Sequence, residues 1–305
     1  MTNLNSRRLR RGYTLGELLV TMTLLGIVGT IVTRLMLGQQ RFYHRQAEQS
    51  SVRRELRTTM TLLPSDLRAI SSSGGDLTDF SSSSVTFRNM LGASAICDKP
   101  DNFTMDLPPL DMARNVLTSW YTQPQVGDSV FAFNEGMLRG AEDDSWTGLR
   151  ITSIAPSAAL CPGSVLIDAV LDVGKPRWRV TVTPAIPDSV KIGAGIRFER
   201  STKYELTAAA SSKYYLSRSE YLGGVWSAAT PVSGPFDAPG GMGGGIQFRY
   251  FDSTGVAVND VANSRSVARI DLLLKASGVS TSGNIGGGTA VRDSLALRVA
   301  LRNRQ

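Results

Sequence analysis

The chain has 305 residues, 42% of them hydrophobic, 7% aromatic and 19% charged, with 33 Lys and Arg against 26 Asp and Glu. That length allows one large or two ordinary domains, and the balance excludes a wholly disordered chain, a collagen and a polytopic membrane protein. One His and two Cys leave little for a zinc cluster, a His-dependent triad or a disulfide-dense scaffold, so most enzyme chemistries are poor candidates.

The net charge of +7 is concentrated at one end, in Arg7, Arg8, Arg10 and Arg11. Removing these four arginines leaves +3, an ordinary balance that does not by itself demand a nucleic acid or an anionic membrane as partner. The apolar run that follows extends through Leu18, Met22, Leu24, Ile27, Val28, Ile31 and Val32, and no charge occurs from Leu18 to Thr33. Continued through Arg34 to Leu37 it is about 20 residues, or roughly 30 Å of helix, which matches the hydrocarbon core of a bilayer, with Arg34 able to snorkel to the interface. A cleaved secretory signal is disfavoured because no small-x-small site follows, Val32-Thr33-Arg34-Leu35 being bulky or charged. Glu17 stands at the start of the apolar segment, where a carboxylate costs a few kcal/mol to bury unless a cation meets it. A cut after Gly12 creates such a cation, the new amino group of Tyr13, one helical turn from Glu17.

Arg11-Gly12-Tyr13-Thr14-Leu15-Gly16-Glu17-Leu18 followed by an apolar helix resembles the processing signal of type IV pilins and of the related pseudopilins of type II secretion. The resemblance implies that a prepilin peptidase cuts after Gly12, that the new first residue Tyr13 is N-methylated, and that Glu17 pairs with the terminal amine of an adjacent subunit. The sequence departs from the usual pattern in having Gly16 where Ile or Val is common and no Pro within the spanning segment. The implied location is the inner membrane, single-pass, with a cytoplasmic amino terminus and an extracytoplasmic head, and afterwards the filament.

Beyond the apolar segment, Val52, Leu56, Met60, Leu63, Leu67 and Ile70 recur at helical spacing, with Arg53, Arg54, Arg57, Asp66 and Arg68 on the other faces. This stripe is expected to dock on the chain's own head. Pro64 is expected to kink or restart the helix, and Phe42 to Gln49, without a stripe, is the expected contact region between subunits. The predicted organisation is a leader (1–12), a transmembrane and assembly helix (13–37), its amphipathic continuation (38–70), a Ser/Gly-rich loop (71–84) and a β-rich head (85–305).

Within the head, Val165-Leu166-Ile167-Asp168-Ala169-Val170 reads as a buried strand, and Trp178, Val180 and Val182 alternate with Arg177, Arg179 and Thr181. Ile246, Phe248 and Tyr250 share one face and lead into the turn Asp252-Ser253-Thr254-Gly255, with Val256 and Val258 after it. Ile270, Leu272 and Leu274 alternate with Arg269, Asp271 and Lys275, and Leu295, Leu297, Val299 and Leu301 with Arg298 and Arg302. The predicted class is therefore α+β, a long helix packed on a mainly antiparallel β head. The strand-turn from Phe248 to Gly255, the Arg269-x-Asp271-Leu-x-Leu274 strand and the closing Leu301-Arg-Asn-Arg304 are similar to PilW-like minor pilins and GspJ-like pseudopilins.

The remaining candidates read as structural. His44 has no partner for metal or base chemistry. Cys97 and Cys161 form no CxxC; after export they can close a loop of about 65 residues, worth ~4 kcal/mol in the loop-entropy account, or stay as two partly buried thiols. The runs Gly240–Gly245 (with Met242) and Gly286–Gly288 lack the Lys-Ser/Thr of a phosphate loop and read as flexible loops. Glu142-Asp143-Asp144 reads as a solvated turn, with weak calcium binding as the alternative. Arg177-Trp178-Arg179 places cations beside an aromatic, a pattern that suits single-stranded DNA, though no aromatic ladder is evident. No catalytic, metal or cofactor site is predicted. The expected function is a minor subunit that initiates or caps a type IV pilus; a type II pseudopilin, a single-pass anchored binding protein and a filament-borne DNA receptor are the alternatives.

Overall fold

The computed structural model describes residues 14–114, 116–136, 143–157, 161, 166–168, 170–209, 214–236, 238–239, 245–277 and 292–301. The chain divides into two units, one of residues 1–51 with 278–291 and one of residues 52–277 with 292–305.

A single helix, α1 (Leu15–Arg68), supplies nearly all the helical structure described. In the first unit its residues from Leu18 to Leu37 are exposed on every side. In the second unit the predicted stripe is the buried one: Val52, Leu56, Leu63, Leu67 and Ile70 are each at most 5% exposed. The helix does not restart at Pro64, which lies buried inside it. It sits one turn from the end, so only one ladder bond is lost, and the same turn is held by Leu63 and Leu67 in the core and by Asp66, which accepts 2.8 Å from the Tyr204 hydroxyl. Closing bonds from Ala69 N–H to Asp66 and from Ile70 N–H to Leu67 end the helix.

Among the described residues fifteen strands follow: β1 (Leu77–Phe80), β2 (Ser84–Ala95), β3 (Asp98–Asp101), β4 (Thr104–Leu107), β5 (Ser119–Trp120), β6 (Ser129–Asn134), β7 (Ser145–Ser157), β8 (Arg177–Thr183), β9 (Gly195–Ala208), β10 (Tyr214–Leu222), β11 (Val225–Trp226), β12 (Thr230–Phe236), β13 (Ile246–Phe251), β14 (Arg269–Ser277) and β15 (Arg292–Ala300). All described pairings are antiparallel, which makes the class α+β as the alternation predicted. The stretch 71–84 is not all loop, because it contains β1, whose Leu77 and Phe80 are buried.

Twelve strands form one sheet with the path β1-β2-β9-β6-β7-β8-β4-β3, to which β10, β11, β12 and β5 attach, while β13-β14-β15 form a second sheet. The long strand β9 is central. One of its edges pairs with β2, from Ser84 opposite Glu205 to Ala95 opposite Gly195. Its other edge pairs first with β6, Ala132 opposite Ile196, and then with β10, Glu220 opposite Thr202. Arg200 lies at this change of partner. It is buried, donates from Nε and Nη2 to the two carboxylate oxygens of Asp128 at 2.8 Å each, and from Nη1 to Glu220 at 3.0 Å. The bidentate bond matches the guanidinium fork to the carboxylate and ties the start of β6 to the end of β10.

Two cores result. One joins the stripe of α1 to Val85, Phe87, Tyr204, Leu216, Phe236 and the second sheet, including Phe248, Ile270, Leu272 and Val299. Thr59 with Ser233, and Arg53 with Asp293 at 3.2 Å, add polar contacts between α1 and the strands. The other core holds Ile96, Met105, Val130, Ile151, Val180, Ile196 and Phe198.

Two strand readings need correction. The run from Val165 to Val170 is not a strand: Val165 and Ala169 lie outside the described residues, and Leu166, Ile167, Asp168 and Val170 are in turns or coil, with Val170 78% exposed. Asp168 Oδ1 accepts from the N–H groups of Val170 and Leu171 at 3.0 Å, and Asp172 Oδ2 from that of Asp168 at 3.1 Å. These local acceptors hold the backbone in turns in place of a ladder. In β8, Arg177 was expected outward and is 5% exposed, because Asp106 of the paired strand β4 neutralises it.

Candidate functional site

Thr14 is the cap that starts α1. Its Oγ1 accepts from the N–H of Glu17 at 3.3 Å, and Glu17 Oε2 accepts from the N–H of Thr14 at 3.0 Å. Two otherwise orphaned donors are satisfied reciprocally, a capping box carried by the spacing Thr14-x-x-Glu17. Glu17 thus has a second role beyond its charge, and the spacing itself is its signal. Glu17 remains exposed. Gly12 and Tyr13 lie outside the described residues.

Downstream the helix is long and apolar enough to cross a membrane. Its polar side chains are self-satisfied: the hydroxyls of Thr21, Thr23, Thr30 and Thr33 each donate to a carbonyl three or four residues back, at 2.7–3.1 Å. An apolar environment therefore meets neither an unpaired hydroxyl nor, before Arg34, a charge. Phe42 and Tyr43, in edge contact with centroids 6.2 Å apart, follow among Arg41, His44 and Arg45, a composition suited to a membrane interface. No group of three or more His, Cys, Asp or Glu able to hold a metal occurs among the described residues. Of the acidic run, Glu142 lies outside them, as do Gly240–Gly244 and Gly286–Gly288.

In the head, Cys97 and Cys161 are joined, with Cα atoms 5.6 Å apart. Arg177 and Arg179 are not free for a ligand. Arg177 Nη2 lies 3.0 Å from Asp106 Oδ2, and Arg179 donates from Nε and Nη2 to Asp106 at 2.8 and 3.0 Å. Trp178 between them packs edge-on against Trp120.

Among the described residues the most perturbed carboxylate is Glu199 of β9, missed in the sequence because it stands among alternating charges. It is 4% exposed beneath Arg88, whose Nε is 3.3 Å away, and Arg197, whose Nη2 is 3.8 Å away. Burial pushes its pKa up to about 7, and the nearby charge of Asp76 adds to the rise; the two arginines offset only part, since Arg88 is shared with Asp76 at 3.0 Å. By contrast, the Asp168 and Asp172 carboxyls are held below the usual range, chiefly by the backbone N–H groups of Leu171 and Ala113 respectively.

Compared with protein-family models, curated proteins and solved structures, the chain matches none of them.

Proposed function

We propose that the chain is a minor subunit of a type IV pilus, processed after Gly12, methylated at Tyr13 and assembled through its amino-terminal helix. The observation that carries this reading is an apolar helical segment, exposed on every side, that opens on an exposed carboxylate one turn after a basic-Gly-aromatic junction. A helix apolar all round needs a cover on all faces. Lipid supplies it before assembly, and neighbouring helices supply it in a filament. On leaving the membrane, Glu17 of one subunit meets the Tyr13 amine of the next, which neutralises both charges away from water. The globular head and the stripe that fastens it to α1 stay outside the membrane. A pseudopilin of type II secretion shares each of these steps and is the second reading.

Two experiments test this. The intact mass and amino-terminal peptide of the protein from its host should show a methylated Tyr13 start; an intact Met1 removes the assembly reading, and a start beyond Thr33 makes the protein a secreted β-domain. The second uses the double role of Glu17. Glu17→Gln keeps an acceptor for the capping box and removes the charge, whereas Glu17→Val removes both. Both variants should insert in the membrane and fail to enter filaments. Filament entry by Glu17→Gln at the native level refutes the charge pairing and leaves the cap as the role of Glu17.

A further inference from the structure

Successive side chains of a strand point to opposite faces of the sheet. On β9, Ile196, Phe198, Thr202 and Tyr204 are buried in the cores, and Arg197, Glu199, Ser201 and Lys203 take the other face. What flanks them there is a series of rings and cations in register. Phe131 of β6 is opposite Arg197, and the Arg88 guanidinium stands 4.4 Å from the centre of its ring. Arg197 lies 4.2 Å from the centre of Trp146, which meets Phe133 edge-on at 5.4 Å. At the other end, Lys203 is 5.4 Å from Trp226, Trp226 meets Tyr221 at 5.4 Å, and Arg150 stands over Tyr221 at 5.7 Å.

The two indoles that end the row stay open, Trp146 at 43% and Trp226 at 40% exposure. Of the acids of the face, Glu199 lies buried under two arginines, and Glu205, part exposed, is paired with Lys203 at 2.9 Å. Arg150 is exposed and has no carboxylate partner among the described residues. From Arg197 to Lys203 the row runs about 20 Å, at roughly 3.3 Å per residue.

Rings that offer π-faces, interleaved with cations along a line, suit a polymer of flat units on an anionic backbone. We propose that this sheet face, from Trp146 to Trp226, binds single-stranded nucleic acid, with bases on the two indoles and phosphates on Arg150 and Arg197. A duplex keeps its bases stacked and offers them no ring to meet. The site is separate from the Arg177-Trp178-Arg179 motif, whose cations Asp106 occupies, and it does not depend on the filament reading.

The test uses the full chain in detergent micelles and a fluorescent oligothymidine of about twelve residues, read by anisotropy against salt. The single strand should bind, and an equal-length duplex and polyglutamate should compete much less well. Trp146→Ala and Trp226→Ala should each weaken binding about tenfold, and Trp→Phe at the same positions should retain most of it. Arg150→Gln, on the surface and safe for folding, should lower the salt slope by about 0.7. No binding at low salt, equal binding of duplex or polyglutamate, or native-like affinity in both natively folded Trp→Ala variants overturns the proposal; if either Ala variant loses its near-ultraviolet circular dichroism, an unchanged salt slope in Arg150→Gln overturns it.

Discussion

Replacing Glu199 should stabilise the head at neutral pH and remove a pH dependence that the wild type carries. The carboxyl has a folded pKa of about 7 against 4.5 for the same group in an open chain. Below pH 4.5 both states hold the proton, so Glu199 is silent. Between pH 4.5 and 7 the unfolded chain releases it while the folded chain retains it, so stability falls as pH rises. Above pH 7 both are ionised and the loss is constant, on the order of 3 kcal/mol from about 1.4 kcal/mol per pKa unit. Urea unfolding of the full chain in micelles, followed by tryptophan fluorescence from about pH 5 to 8, should show this decline in the wild type and a nearly flat line for Glu199→Gln, with the variant the more stable at pH 8. The carboxyls of Asp168, Asp172 and Asp252, lowered by hydrogen bonds, act at more acid pH and do not disturb the window. A wild type that is flat across the window, or a variant less stable than it at pH 8, would show that Arg88 and Arg197 compensate the buried charge in full, and the reasoning would fail.

Three further perturbations probe the head. Asp106→Asn removes the charge that faces Arg177, 5% exposed, at 3.0 Å and should cost about 3–5 kcal/mol in urea unfolding, while a loss under 1 kcal/mol would refute the weight given to this pair. Gly92→Ala should cost about 1–3 kcal/mol, because an added Cβ would come 2.2 Å from the carbonyl oxygen of Ser119 where β5 crosses close to β2; unchanged stability would place the two strands farther apart. Replacing Cys97 and Cys161 together by Ser should lower stability by about 2–5 kcal/mol, given a separation of 64 residues, and a melting temperature insensitive to both the substitution and to reductant would contradict a bonded pair.

The parts of the fold that were legible in the sequence are those in which one face meets one environment. The α1 stripe from Val52 to Ile70 and the alternation of Ile246, Phe248 and Tyr250 or of Ile270, Leu272 and Leu274 each report a single buried side. Strand β9 is different. It carries Arg197, Glu199, Arg200, Lys203 and Glu205, and its place at the centre of the sheet depends on partners more than seventy residues away in sequence, Asp128 among them, that no local window contains. Arg177 was misread for the same reason, since its burial is decided by Asp106 on another strand. Val165–Val170 failed in the opposite sense: its apolar composition outvoted Asp168 and Asp172, whose side chains hold the backbone in turns. At the amino terminus the charge of Glu17 was visible and its capping bond with Thr14 was not weighed, although both are written in four consecutive residues. The ring-and-cation row was hidden because its members come from six strands.

The pairing of Ala95 with Gly195 means that residues 96–194 depart from the fold and rejoin it at adjacent points on neighbouring strands. Strands β3 to β8, nearly all of the second core and the disulfide are thus an excursion inside what is otherwise a plain β2–β9 hairpin. The strands that clasp α1 lie outside that excursion. Such a chain can lengthen, shorten or exchange the inserted lobe, and with it part of the surface the head displays, while the fastening of head to helix is left untouched.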